Sequence, residues 1–110
     1  MDAQLKRGVL EACVLASLLR EPSYGYRIVK DVSPHVELSE STLYPILKRL
    51  ETGGMVTVSS VEHNGRLRKY YAITDAGRAE IERFLTDWEN VMDVYNYIKE
   101  EYENEQGGVS

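Results

Sequence analysis

Two groups of side chains in this 110-residue sequence have the types and spacing suited to gripping phosphates and base edges. Arg66, Arg68 and Lys69 lie in a stretch with no acidic residue between His63 and Thr74, and Ser41, Thr42, Tyr44, Lys48 and Arg49 fall together between positions 41 and 49. Cationic groups pair with phosphate oxygens, and hydroxyls supply donors to phosphates and to base edges. Enzymatic chemistry has no comparable signal. His35 and His63 are isolated, without further ligands at metal spacing, and no nucleophile with a base or pair of carboxylates shares one element. The sequence therefore points to no enzyme, no metal and no cofactor. Cys13 is the single cysteine, so no internal disulfide is possible; it falls in an apolar pattern and reads as a small core residue in a reducing compartment.

The overall charge argues against a nucleic-acid partner, since the formal net charge is −5 and the sequence pI is about 5.0. The distribution reverses that inference. Residues 1–80 hold eleven Lys and Arg against ten Asp and Glu, a net of +1, whereas residues 81–110 hold two against eight, a net of −6. The acid belongs to the tail. Hydrophobic residues at 43% and charged residues at 28% are those of an ordinary soluble protein with one core. Within the first helical segment the longest uncharged stretch, Ala12 to Leu19, is less than half a bilayer span, and no secretory signal pattern opens the sequence. The expectation is a cytoplasmic protein without a membrane partner.

Periodicity supplies the elements that must carry these residues. Gln4 to Leu19 reads as a helix with two apolar stripes, Leu5, Val9, Ala12, Cys13, Ala16 and Leu19 on one and Leu10, Val14 and Leu18 on the other, which predicts burial on most sides. Ser23 is a plausible cap for a second helix that Ser33-Pro34 ends. Tyr24 and Tyr26 either present hydroxyls to a phosphate backbone or pack beside Ile28. A third helix begins near Ser39 or Ser41 and stops at Gly53-Gly54. At 100° per residue it sets Leu43, Ile46, Leu47 and Leu50 on one side. Ser41, Tyr44, Pro45, Lys48 and Thr52 fall opposite, flanked by Thr42 and Arg49.

Met55 to Glu62 and Arg66 to Thr74 then alternate with a period near two, separated by Asn64-Gly65, the strongest short hairpin signal. Tyr70 and Tyr71 lie on opposite faces of the second strand, so at most one is buried with the core. Three helices followed by a hairpin make a winged helix-turn-helix, with the third helix as reading element. From Thr74 or Asp75 a last helix runs without a breaker to Gly107, and Ile81, Phe84, Trp88, Val91, Tyr95, Ile98 and Tyr102 repeat at 3-4 spacing, widened by Leu85 and Met92. A length of roughly 40–45 Å carries this seam beyond the body of its own subunit, which points to a homodimer. Glu100 to Gln106 reads as a frayed, solvated tail. The expected class is thus mainly α with a β-hairpin, divided into a winged-helix domain over residues 1–74 and a dimerisation helix with acidic tail over residues 75–110.

Three motifs in order carry a resemblance. Ser23-Tyr24-Gly25-Tyr26-Arg27-Ile28, Thr42-Leu43-Tyr44-Pro45-Ile46-Leu47-Lys48-Arg49-Leu50-Glu51, and Gly65-Arg66-Leu67-Arg68-Lys69-Tyr70-Tyr71-Ala72-Ile73-Thr74 together resemble the PadR family of bacterial transcriptional regulators, in its short form with a single terminal helix. The resemblance implies a homodimeric repressor that binds a pseudopalindromic double-stranded operator through Tyr24, Tyr26, Ser41, Thr42, Tyr44, Lys48, Arg49, Arg66, Arg68 and Lys69. It also implies a dimer held by the first and terminal helices, at Leu5, Val9, Ile81, Phe84, Leu85, Trp88, Val91, Tyr95 and Ile98. A planar aromatic effector would sit between the subunits on Trp88, beside Met92 and Tyr95. Plain packing of Trp88 across the dimer stays open, as do two other readings of the whole: a small-molecule sensor dimer, and a winged-helix module that docks on an acidic protein surface.

Overall fold

The structure is a computed structural model that describes residues 1–107. The elements follow in the order α1 (Ala3–Ala16), α2 (Gly25–Val32), α3 (Glu40–Thr52), β1 (Val56–His63), β2 (Arg66–Ile73) and α4 (Asp75–Gly107). The first three helices enclose a core in which Val14, Leu15, Ile28 and Leu43 are completely buried, joined by Ile46, Leu47 and Leu50 from α3 and by Val56 and Tyr71 from the hairpin. This is a mainly helical winged-helix fold with a long terminal helix.

Helix α1 starts where Asp2 accepts hydrogen bonds from the Gln4 and Leu5 amides at 2.8 and 3.0 Å, the side-chain cap that frees these donors from water. It stops at Ala16 rather than at Leu19. Ser17 donates its hydroxyl to the Val14 carbonyl at 2.6 Å, and the Leu18 and Leu19 amides turn back to Leu15 and Ala16 in tighter three-residue steps. Leu10, Val14 and Leu15 alone of α1 are buried, while Leu5 and Leu19 are exposed. Full burial is thus confined to one side of α1, while Val9, Ala12 and Cys13 of the second stripe are half-buried and α4 packs on the helix. Cys13 is half-buried, and burial pushes its thiol up from the usual value, which suppresses the reactive thiolate.

Helix α2 is capped by Tyr24, without any side-chain hydrogen bond, and not by Ser23. Ser23 is drawn away by the hairpin: its amide donates to the Tyr71 carbonyl at 3.0 Å and its carbonyl accepts from the Tyr71 amide at 2.7 Å. Helix α3 is capped by Ser39, whose hydroxyl accepts from the Thr42 amide. Pro45 lies inside this helix, where its missing donor would face the Ser41 carbonyl near the N-terminal end. Gly54, at φ 75°, supplies the left-handed residue that turns the chain from α3 into β1.

The strands pair antiparallel from Val56–Ile73 to His63–Arg66, and the turn places both Asn64 (φ 51°) and Gly65 (φ 77°) in the left-handed region required by a type I′ hairpin. Tyr71 is the buried member of the tyrosine pair and Tyr70 the half-buried one. Thr74 joins hairpin to α4: its hydroxyl donates to the Gly54 carbonyl at 2.7 Å and accepts from the Gly77 amide at 3.2 Å. Helix α4 packs on α1 and β2 near its start, with Gly77 buried and Ile81 against the core, then leaves the body. Its 33 residues give a rod of about 50 Å, longer than anticipated. The span expected to fray stays helical to Gly107. The subunit extends 71 × 25 × 23 Å with a radius of gyration of 18.2 Å, where a compact domain of about 100 residues has about 13 Å. Gly108, Val109 and Ser110, the end of the predicted acidic tail, lie outside the described residues.

The crossing of α4 and the hairpin depends on Gly77. A Cβ there would stand 2.4 Å from the Met55 carbonyl oxygen and 2.6 Å from Ile73 Cγ1. Helix propensity favours alanine over glycine by about 1 kcal/mol, but forcing a methyl group against backbone costs typically about 1–3 kcal/mol. We expect Gly77→Ala to lower the thermal midpoint by several degrees in calorimetry; an unchanged or raised midpoint would show that this crossing is not tightly packed.

Candidate nucleic-acid interface

Helix α3 buries Leu43, Ile46, Leu47 and Leu50, and this anchors its opposite face outward: Ser41, Tyr44, Pro45, Lys48 and Thr52 are all exposed. Beside that face the hairpin makes a wall. Together they form a cleft of about 620 Å³ lined by Tyr24, Gly25, Tyr44, Arg66, Arg68 and Lys69, with His63 and Asn64 at the turn end. Five of the ten residues expected to meet DNA are thus gathered around one concave surface.

A stack of side chains sets the position of Arg68. Its guanidinium lies 4.0 Å above the centre of the Tyr24 ring, and Tyr24 meets Tyr70 edge-on at 5.4 Å between centroids. Tyr24 serves Arg68 as an aromatic platform and lines the cleft, a placement distinct from core packing beside Ile28. Tyr44 reaches across from α3 to the first residue of α2; a Cβ on Gly25 would be 2.7 Å from the Tyr44 hydroxyl, so the glycine admits this approach. Arg66 and Lys69 remain exposed on β2 and, like Lys48, form no ion pair among the described residues. The cleft is therefore cationic on its hairpin side and carries the phenols of Tyr44 and Tyr24 on its helical side.

The remaining expected residues are distributed differently. Ser41 and Lys48 stand on the exposed ridge of α3. Ser41 shares its hydroxyl with the capping Ser39, 3.0 Å away, which in turn meets Thr42 at 3.1 Å. Thr42 and Arg49 face the other flank of α3, toward α1, and line a separate groove. Arg49 is held there by a two-pronged contact to Glu11, at 3.1 and 2.8 Å, so it is turned away from the hairpin cleft. Tyr26 is 66% exposed on α2 and outside the cleft lining. Gly25 and Leu67 stand in the sequence motifs without a role of their own: that of Gly25 depends on a neighbour distant in sequence, and Leu67 is 78% exposed near the tip of the hairpin although its alternation partner Tyr71 is buried. The hairpin outruns the body, and this carries the apolar face of β2 into solvent.

On α4 the seam divides. Ile81, Phe84 and Trp88 are half-buried, with Phe84 and Trp88 5.9 Å apart between ring centres, whereas Leu85, Val91, Met92, Tyr95, Ile98 and Tyr102 are exposed. On α1, Val9 is half-buried and Leu5 exposed. No helix among the described residues is long and apolar enough to cross a membrane.

Comparison with known proteins agrees with this architecture. Residues 14–83 match the model of the transcriptional regulator PadR-like family. A transcriptional regulator of Mycobacterium tuberculosis is 30% identical over 79 residues, covering 71% of this chain and 74% of its own. The crystal structure of a PadR family transcriptional regulator from Eggerthella lenta superposes with a TM-score of 0.78 at 35% identity, over 88% of this chain and 87% of that one. Bacillus subtilis PadR, solved in complex with operator DNA, superposes with a TM-score of 0.65 at 27% identity, over 70% of this chain and 46% of that one. With its helices, hairpin and terminal helix in the order these relatives share, the chain belongs to the PadR-like family of transcriptional regulators.

Proposed function

We propose that the protein is a homodimeric repressor that reads a pseudopalindromic operator with α3 and holds flanking phosphates with the hairpin. One observation carries the reading: Tyr44 from the exposed face of α3 and the cations of β2 line the same cleft, which is shaped for a convex, anionic partner. An α-helix fits the major groove of B-DNA, where Ser41, Tyr44 and Lys48 would meet base edges or their phosphates, with Arg66, Arg68 and Lys69 on the adjoining backbone. Solution of Bacillus subtilis PadR with operator DNA supports the assignment. The acidic excess that dominates the pI lies on α4, outside the cleft lining. In this scheme residues 1–74 read the DNA and residues 75–110 hold the dimer. Lys48→Ala and Arg68→Ala should each weaken binding to a duplex carrying the gene's own promoter and flatten the log-log dependence of affinity on salt by about one unit. Binding unaffected by either change would place the DNA elsewhere.

Dimerisation follows from the exposed half of the α4 seam. Val91, Tyr95 and Ile98, with Leu85 and the α1 residues Leu5 and Val9, give an apolar stripe that a second copy would cover under two-fold symmetry. Placing a carboxylate in such a seam leaves a buried charge unpaired, so Ile98→Glu should shift the sedimentation equilibrium from dimer to monomer. A dimer that tolerates the change would remove α4 from the interface.

Trp88 is the place for a small-molecule signal. It is half-buried and tilted against Phe84, and it lies one helical turn before exposed Met92, with Tyr95 beyond, so a planar aromatic compound could stack there between subunits. Such a ligand would alter the separation of the two α3 helices and lower operator affinity through its preference for one spacing. Planar aromatics should quench Trp88 fluorescence and release promoter DNA over the same concentration range; quenching without release would make Trp88 a binding site with no regulatory coupling.

A further inference from the structure

The flank of α3 that faces away from the hairpin carries a second feature. Thr42, Pro45, Ile46 and Arg49 of α3 oppose Ala3, Lys6, Arg7 and Leu10 of α1 across a shallow groove of about 350 Å³. Its floor is apolar, through Pro45, Ile46 and Leu10, and its rim is cationic. Lys6 and Arg7 are exposed and form no ion pair among the described residues. Two acids lie on or beside α1 in this region, and both are engaged: Asp2 caps the Gln4 and Leu5 amides, and Glu11 grips Arg49. Glu11 neutralises Arg49 but also fixes its guanidinium at the groove, so the net positive charge of the rim resides in Lys6 and Arg7.

We propose that this rim is a second phosphate-binding edge, which takes the DNA strand on the far side of the major groove from the hairpin. The inference rests on the operator-binding reading above and extends its footprint to α1. Dimensions favour it. A helix with its side chains is about 10–12 Å across and the major groove about 12 Å wide, so a helix seated in the groove brings both flanks to the two sugar-phosphate backbones. Arg49 lies about 140° around α3 from Tyr44, at 100° per residue, so the hairpin cleft and the α1 groove occupy opposite edges of the exposed arc. Ser41, Lys48 and Thr52 lie between them and face the bases. A floor of Pro45 and Leu10 suits the apolar edge of deoxyribose, with Lys6 and Arg7 placed to reach the phosphates on either side. Charge complementarity thus selects a backbone strand over an apolar peptide as occupant. The sequence places Lys6 and Arg7 at least 34 positions before the reading face, which hides the juxtaposition until the chain is folded.

The test uses the full chain with two duplexes, one carrying the gene's own promoter and one of mixed sequence. Lys6→Gln with Arg7→Gln keeps good helix formers at exposed sites, so the fold is retained. The double variant should flatten the salt dependence of binding by about two units per subunit bound and weaken both duplexes by the same factor, because phosphate contacts are blind to sequence. Ser41→Ala serves as contrast and should lower affinity more for the promoter than for the mixed duplex. If Arg68→Ala flattens the salt slope while the Lys6 and Arg7 changes leave it unaltered, the α1 edge is overturned and the operator reading stands. If the Lys6 and Arg7 changes shift the dimer equilibrium without altering the salt slope, the groove receives a second copy of the chain and the proposal is likewise overturned. If the unaltered protein retains neither duplex, both fall together.

Discussion

Two backbone hydrogen bonds between Ser23 and Tyr71 hold the proposed reading surface together. A two-stranded hairpin alone is marginal in water, and this one projects past the body. The bridge gives β2 a second partner, beside β1, at its base, and the buried Tyr71 side chain anchors the same residue in the core. With β2 fixed there, Arg68 falls over the Tyr24 ring at the start of α2, and Tyr44 of α3 closes against Gly25. Three elements that share no sequence neighbourhood are thereby registered around one cleft.

The same bridge explains why α2 begins as it does. Ser23 spends its backbone on pairing with β2, so the cap position passes to Tyr24, whose extended backbone turns its ring toward the hairpin. Helix α2 therefore starts without the side-chain hydrogen bond that a serine at that position would supply, a loss of about 1 kcal/mol by usual capping energies. What replaces it is interaction with the hairpin: two backbone hydrogen bonds and the stack of Arg68, Tyr24 and Tyr70. Local stability has been exchanged for a fixed relation between α2 and the wing.

Charge is arranged along the length of the molecule by the same economy. The body is nearly neutral, and cations without an ion pair among the described residues stand at the cleft, on the α3 ridge and at the α1 rim, as well as at Arg20, Lys30 and Arg78, while the acidic excess lies on a helix about 50 Å long that leaves the body near Trp88. Pairs on α4 and α2, Arg83 with Glu80 and Asp87 and Arg27 with Glu21, engage basic groups outside the cleft lining. Exposed pairs of this kind contribute little stability, but they leave Lys48, Arg66 and Lys69 as the free cations facing outward from α3 and the hairpin. Binding that depends on a few such residues, instead of on bulk charge, keeps non-specific attachment weak.

The sequence by itself determined the element order, the hairpin turn and the two faces of α3, because each follows from short-range rules: period 3.6 against period two, positive φ at Asn64-Gly65, and the opposition of Leu43, Ile46, Leu47 and Leu50 to Ser41, Tyr44 and Lys48. The apolar seam of α4 was legible for the same reason. Tertiary structure alone decided where each side chain on those faces is used. Arg49 and Lys48 are adjacent in sequence and equally basic, yet Glu11, 38 positions earlier than Arg49, draws Arg49 to the α1 flank while Lys48 stays on the ridge. Ser23 reads as a helix cap until Tyr71, far along the chain, claims its backbone. Tyr24 reads as a free hydroxyl or a core ring until Arg68 comes to rest on it. Periodicity assigns a residue to a face of its own element; which distant group meets that face depends on packing between elements, and that is a property of the folded chain.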